Sequence, residues 1–123
     1  MAPFIFLHTI GRYNKVNLSD ILNIEANKNY SKIITLQGTY LTLTMVKLME
    51  AALPSDHFLR IHRSFLVLLK HVTALDRHTV YLSGRQLPLG DSYRPALEAF
   101  VLFVSNTKPR NYAKSTRSGS HAL

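Results

Sequence analysis

The sequence contains no cysteine and no tryptophan among its 123 residues. The lack of cysteine excludes a disulfide framework and any metal site built from thiolates. The longest apolar runs, FLVLL and ALEAFVLFV, fall well short of the roughly 20 residues that a membrane helix needs, and the start of the chain lacks the features of a secretory signal. We therefore expect a cytoplasmic protein with no membrane segment.

Acidic residues are also scarce, since seven Asp and Glu stand against fifteen Lys and Arg and leave a formal net charge of +8. No acidic residue follows Glu98, whereas the stretch after it contains Lys108, Arg110, Lys114 and Arg117. A positive excess of this kind favours polyanionic partners such as nucleic acid or an anionic membrane surface.

The apolar pattern predicts one mainly β domain. Short apolar or alternating runs indicate strands in FIFLHTI, GRYNKVNLSD, ILNIEA, YSKIITL and YLTL, and again in FLRIH, FLVLL, HVTAL, TVYLS and RQLPLG. Asn27, Lys28 and Asn29 join two of these runs as a hairpin connection, and Gly38 suits a turn that requires positive φ. We expect the domain to span residues 1–104 and residues 105–123 to form a flexible basic tail.

Two helices are predicted between the strands. Apolar residues recur at helical spacing between Thr44 and Pro54, with Thr44 placed as the N-cap and Pro54 as the stop. A C-terminal helix should begin near Ser92 or Arg94 and run through PALEAFVLFV. The predicted core includes Leu48, Met49, Phe58, Phe65, Val67, Ala99 and Phe103.

Signals for catalysis are weak. The six histidines include no pair at a metal-ligand spacing on a helix. His62 and Ser64 share a strand face but lack the third, acidic member of a catalytic triad. Since phosphate-binding glycine motifs are absent as well, we expect neither an enzyme nor a metal or cofactor site.

The segment FLRIHRSFLVLLKHV, residues 58–72, is the most informative. Strict strand alternation would bury Arg63 beside Phe65, which is costly for an unpaired guanidinium. A turn or bulge near residues 62–64 would remove this conflict and leave Arg63 exposed on a rigid support. An arginine held in this way can clamp a phosphate or read guanine, although a salt bridge to Glu25 or Asp91 is an open alternative.

Three ordered blocks, DILNIEANKNYSKIITLQG, FLRIHRSFLVLLKHV and LPLGDSYRPALEAF, resemble the LytTR family of bacterial DNA-binding domains. The resemblance runs from about Phe4 to Phe103, with departures at Asn23 and Leu68. It implies a mainly β fold of short-stranded sheets with one central α-helix and a C-terminal α-helix. It also implies the output domain of a bacterial response regulator in a two-component system, whose loops enter successive major grooves of double-stranded DNA.

The resemblance further implies which residues contact DNA. The first loop offers Asn27, Lys28, Asn29 and Tyr30, the second Arg63 and Ser64, and the third Arg94, while Lys70 lies outside these loops. Arg63 and Arg94 suit base edges, whereas Lys28 and Lys70 suit phosphates. Ordinary hairpin chemistry at residues 27–30 and an ion pair between Arg94 and Asp91 are the structural alternatives.

The expected partner is promoter DNA with direct repeats, occupied by two copies of the domain as a homodimer on DNA, because one small domain makes few base contacts. Family members usually carry a receiver domain or membrane segments ahead of this module. Neither is present in this sequence, so we expect a lone DNA-binding protein or part of a longer regulator. An alternative function is a protein-protein interaction module of a signalling protein, in which the charge only maintains solubility.

Overall fold

The computed structural model describes residues 3–105, which form ten short strands in three antiparallel sheets together with two α-helices. In chain order the elements are β1 (Phe4–Thr9), β2 (Arg12–Asn17), β3 (Ile21–Ala26), β4 (Ser31–Thr35), β5 (Gly38–Thr42), α1 (Val46–Ala52), β6 (Phe58–His62), β7 (Phe65–Leu68), β8 (Val72–Leu75), β9 (Thr79–Leu82), β10 (Arg85–Pro88) and α2 (Arg94–Phe100). Single 3-10 turns at Leu18–Asp20 and Leu69–His71 precede β3 and β8. The predicted mainly β fold with a central and a C-terminal helix is confirmed.

A five-stranded sheet of order β5-β4-β3-β7-β6 lies at the centre of the molecule, between two cores. Successive side chains of a strand point to opposite faces, so the buried strand β7 contributes to both. Leu66 and Leu68 lie in one core with α1 and the β1–β2 hairpin, whereas Val67 lies in the other with α2 and the sheet β10-β9-β8. The apolar run FLVLL is thus explained by burial on both sides.

The predicted hairpins are observed. Residues 27–30 connect β3 to β4, and Gly38 has a φ of 146°, as the second turn requires. Pro88, which cannot donate a backbone hydrogen bond, lies in β10 at the edge of the three-stranded sheet. Of the predicted tail, residues 106–123 lie outside the described part of the chain.

The ends and faces of the helices differ from the prediction. Helix α1 begins at Val46 and no side chain caps it, so the prediction of Thr44 as N-cap is wrong. The hydroxyl of Thr44 instead pairs with that of Thr42, and its carbonyl accepts a hydrogen bond from Ser31. Only a narrow face of this two-turn helix is covered, which buries Met49 and leaves Leu48 63% exposed.

The remaining core predictions have mixed outcomes. Phe58 and Val67 are buried, whereas Phe65 and Phe103 are only partly covered. Helix α2 ends at Phe100 and buries Leu97, leaving Ala99 on the exposed side. The apolar sequence beyond residue 100 therefore does not extend this helix.

Candidate nucleic-acid interface

The turn between β6 and β7 presents Arg63. Strand β6 ends at His62, which pairs with Phe65, so Arg63 and Ser64 form the connection. Arg63 is exposed, and within residues 3–105 its guanidinium makes no hydrogen bond or ion pair. The backbone N–H of Ser64 donates to His62 Nδ1 at 3.1 Å, which fixes the shape of the turn. The expected surface connection is confirmed, and the alternative salt bridges of Arg63 to Glu25 or Asp91 are not formed.

The loop between β3 and β4 carries four more candidates. It is closed by a hydrogen bond from Asn27 N–H to the carbonyl of Tyr30 at 2.8 Å. Lys28 and Asn29 at its tip are exposed, whereas Asn27 and Tyr30 are half-buried. The side-chain Nδ2 of Asn27 is enclosed and has no partner in the described part of the protein. This loop therefore presents one free ammonium group and one exposed amide, and it encloses one unsatisfied donor.

A main-chain hydrogen bond joins these two loops. The N–H of Ala26, the last residue of β3, donates to the carbonyl of Ser64 at 2.8 Å. One step further into the sheet, Glu25 pairs with Phe65 in the antiparallel register of β3 and β7. Lys28 and Arg63 consequently project from neighbouring loops at the same end of the central sheet.

The loop before α2 reaches the same end. Gly90 N–H donates to the carbonyl of Ile61 at 2.8 Å, two residues before Arg63. The approach is close, because a Cβ atom at Gly90 would lie 3.1 Å from the ring of Tyr93 and 3.7 Å from that of His62. Arg94 follows in the first turn of α2. The loops containing residues 27–30, 63–64 and 90–94 therefore lie side by side, and we call them the loop cluster.

Arg94 is already paired within the cluster. Its Nη1 and Nη2 donate to Asp91 Oδ1 at 3.1 and 3.3 Å. The Arg94 side chain is 22% exposed, whereas that of Asp91 is 77% exposed. The ion pair considered as an alternative for Arg94 is thus present, but it lies at the surface, where such pairs contribute little stability and exchange readily.

Lys70 lies elsewhere. It occupies the exposed 3-10 turn after β7, at the opposite end of that strand from Arg63. The same turn is held by His71 Nε2, 2.6 Å from the carbonyl of Ser19, and by Leu69 N–H, 2.9 Å from the carbonyl of His57. The structure brings Arg63, Ser64, Arg94 and residues 27–30 together but does not place Lys70 among them.

Two features near the cluster escaped the sequence analysis. The first is an apolar groove of about 460 Å³ beside the tip of the β1–β2 hairpin, lined by Ile10, Tyr30, Leu41 and Leu43 among others. The second feature is Arg60, whose side chain contacts the backbone of the Arg63 turn. Strand alternation places Arg60 on the face opposite Ile61 but gives no indication of its partners.

Other kinds of site find no support in the described residues. Between residues 3 and 105 no three His, Asp or Glu side chains are grouped so as to hold a metal ion. Neither helix in this part of the chain is long and apolar enough to cross a membrane.

Comparison with known proteins agrees with this architecture. The family profile of the LytTr DNA-binding domain matches residues 11–101. The sensory transduction protein LytT of Bacillus cereus is 26% identical over 92 residues, which cover 70% of this chain and 37% of that protein. The CO-responsive transcriptional regulator RcoM of Rhodospirillum rubrum is 38% identical over 60 residues, covering 48% of this chain and 25% of RcoM.

A solved LytTr DNA-binding domain from Bacillus cereus has the same fold. It matches with a TM-score of 0.72 at 24% sequence identity and covers 84% of this chain and 100% of that domain. The chain spans about a third of the length of LytT and a quarter of that of RcoM. With most of its residues matched by the family profile, the chain belongs to the family of LytTr DNA-binding domains.

Proposed function

We propose that this domain binds double-stranded DNA in a sequence-specific manner as part of a bacterial transcription regulator, and that the loop cluster enters successive major grooves. The observation that carries the proposal is the pair of main-chain hydrogen bonds, Ala26 to Ser64 and Gly90 to Ile61, that assembles three cation-bearing loops at one end of the sheet. Reading bases in the major groove requires long side-chain donors held by a rigid support, such as the end of a sheet.

The residues of the cluster differ in what they offer. Arg63 has a free, exposed guanidinium and is the principal candidate for bidentate reading of guanine. Arg94 is paired with the exposed Asp91. It can read a second base if DNA displaces Asp91 or if the guanidinium contacts Asp91 and the base together. Lys28 suits a phosphate, as a point charge on a flexible stem. Asn29 and Ser64 offer shorter groups that reach only atoms close to the loops.

The half-buried loop residues and Lys70 take different roles. Asn27 has an enclosed, unsatisfied Nδ2, which a phosphate or base acceptor would reach only if the loop rearranged on binding. Tyr30 lines the apolar groove beside the β1–β2 hairpin tip, and its hydroxyl is the group that would contact DNA. Lys70 lies beyond the cluster, so its contact requires a phosphate outside the segment that the loops face.

We further propose that two copies of the domain occupy direct repeats. The cluster presents few groups that can read bases, and one such domain makes too few contacts to compete with the excess of nonspecific genomic sites. Two copies linked by DNA or by the remainder of a longer regulator gain effective concentration without any new contact to a base. The repeat spacing would then report the distance between two loop clusters.

Selection of bound duplexes from a random pool tests this function directly. The domain should enrich one short motif that contains guanine and recurs at fixed spacing. Binding to that motif should weaken about 150-fold between 50 and 200 mM salt if about four phosphates are contacted. An enriched pool without a motif, or affinity that is indifferent to salt, would instead support the protein-interaction alternative.

A further inference from the structure

The guanidinium of Arg60 donates hydrogen bonds to three acceptors, two on the backbone of the Arg63 turn and one on helix α1. Its Nε donates to the carbonyl of His62 at 3.0 Å and its Nη2 to the carbonyl of Arg63 at 2.5 Å. Its Nη1 lies 2.6 Å from Glu50 Oε1 on helix α1. One side chain thus connects helix α1 to the two carbonyls on either side of the Arg63 Cα atom.

Arg60 is poorly placed to contact DNA itself. Its side chain is only 16% exposed, and each nitrogen of the guanidinium already has a protein acceptor. The planar fork of arginine can hold several acceptors at once, whereas the single ammonium of lysine cannot reproduce that arrangement. A charge-assisted hydrogen bond to a backbone carbonyl is stronger than a neutral one, so these contacts restrict the turn.

We propose that Arg60, held by Glu50, is a positioning residue that sets the direction in which Arg63 projects from its turn. This inference rests on the proposed function of Arg63 as a reader of bases. Arg63 has no side-chain partner of its own in the described part of the chain. The backbone of the turn alone therefore determines the direction in which its side chain leaves the protein. Fixing two adjacent carbonyls limits the rotation of that backbone, and readout of a base tolerates only small misplacement.

The decisive variant is Arg60→Lys, because it keeps the net charge and the ability to pair with Glu50 but loses the fork. The quantity to measure is the specificity ratio, defined as the Kd for a random duplex divided by the Kd for the selected motif. Arg60→Lys should lower this ratio on the order of tenfold, within the range of one bidentate base contact. The Kd for the random duplex and its salt dependence should stay unchanged. Arg77→Lys, the same exchange at an exposed position in the β8–β9 turn, should leave the ratio unaltered.

Combination with Arg63→Ala separates positioning from an independent role. If Arg60 acts through Arg63, the pair Arg60→Lys and Arg63→Ala should have the same ratio as Arg63→Ala alone. Hydrogen exchange at the Ser64 amide, which donates to His62 in the turn, should be faster in Arg60→Lys than in Arg77→Lys. Glu50→Gln, which retains an acceptor for Nη1, should lower the ratio less than Glu50→Ala.

Three outcomes would overturn the inference. If Arg63→Ala lowers the ratio and Arg60→Lys does not, the contacts of Arg60 do not guide the reader. If the losses of the two single variants multiply in the pair, Arg60 acts independently of Arg63. If the unaltered domain has a ratio of one, the proposed sequence-specific function itself fails, and the positioning role fails with it.

Discussion

Replacement of Arg63 should remove sequence preference without destabilising the domain. The side chain is exposed and unpaired within residues 3–105, so its loss leaves no buried partner and creates no cavity. Arg63→Ala should therefore change the free energy of unfolding by no more than about 0.5 kcal/mol. The carbonyl of Arg63, which accepts from Arg60, is unaffected by truncation of the side chain.

The loss in binding follows from the geometry expected of an exposed guanidinium on guanine. One bidentate base contact contributes about 1 to 3 kcal/mol of discrimination, which corresponds to a specificity ratio about 5 to 150 times lower in Arg63→Ala. Arg63→Lys is the matched control for charge, since lysine can still contact a phosphate but not both acceptors of guanine. It should keep nearly all affinity for random duplex while losing most of the preference for the motif.

Titration of labelled duplexes, motif and random, at several salt concentrations would measure both quantities, with thermal unfolding of each variant as the stability check. The assignment of Arg63 as a reader of bases would be refuted if Arg63→Lys bound the motif as tightly as the unaltered domain. It would be refuted equally if Arg63→Ala lost the same factor on motif and random duplexes, because Arg63 would then be a phosphate contact.

Three other predictions concern stability, pH and the end of the chain. Asn23 is fully buried, and neither of its side-chain polar atoms has a partner among residues 3–105. Asn23→Leu should therefore raise the free energy of unfolding, measured in urea, by about 1 to 3 kcal/mol, whereas Asn29→Leu at an exposed site should not; a fall in stability of Asn23→Leu would contradict this prediction. The hydroxyl of Tyr81 donates a hydrogen bond to Asp76 and lowers the pKa of that carboxyl below 3.8. This hydrogen bond therefore contributes stability above pH 3.8, and the contribution is lost as the pH falls through the pKa of Asp76 in the folded state. In Tyr81→Phe the Asp76 pKa measured by NMR should rise towards 3.8, and an unchanged value would contradict the assignment. Ending the chain at Ser105 removes four bases and no acid, and should reduce the log-log salt slope by up to about 3.6 if each base meets one phosphate; an identical slope would mean that these bases make no such contact.

Local sequence patterns predicted much of the fold, because most strands are paired through short hairpins. The run ILNIEA has the bounds of β3, and the conflict between alternation and the charge of Arg63 correctly indicated a turn. The prediction failed where partners far apart in sequence decide the outcome. Leu48 fits a helical apolar stripe, yet no element between residues 3 and 105 covers that side of α1. Thr44 is an acceptable cap residue, but its hydroxyl is hydrogen-bonded to that of Thr42.

For the candidate interface, the loops that lie together were likewise easier to predict than the contacts between them. The resemblance indicated which loops to consider, and the polar tips at residues 27–30 and Arg63 supported it. That β7 lies beside β3 follows from tertiary packing and not from any periodicity, so the hydrogen bond from Ala26 to Ser64 was beyond sequence reasoning. The role of Arg60 depends on an acceptor on α1, ten residues earlier, which no strand pattern specifies.

The hydrogen bonds that hold the loop cluster together, Ala26 to Ser64 and Gly90 to Ile61, involve main-chain atoms only. Side chains at the loop tips can therefore be exchanged without disturbing the bonds between the loops. If the loop cluster reads DNA as proposed, a lineage carrying this scaffold can acquire new operator sequences by changing a few exposed residues, while its framework is inherited intact. Under the same proposal, the loop tips are the positions to randomise when a domain with altered DNA preference is wanted.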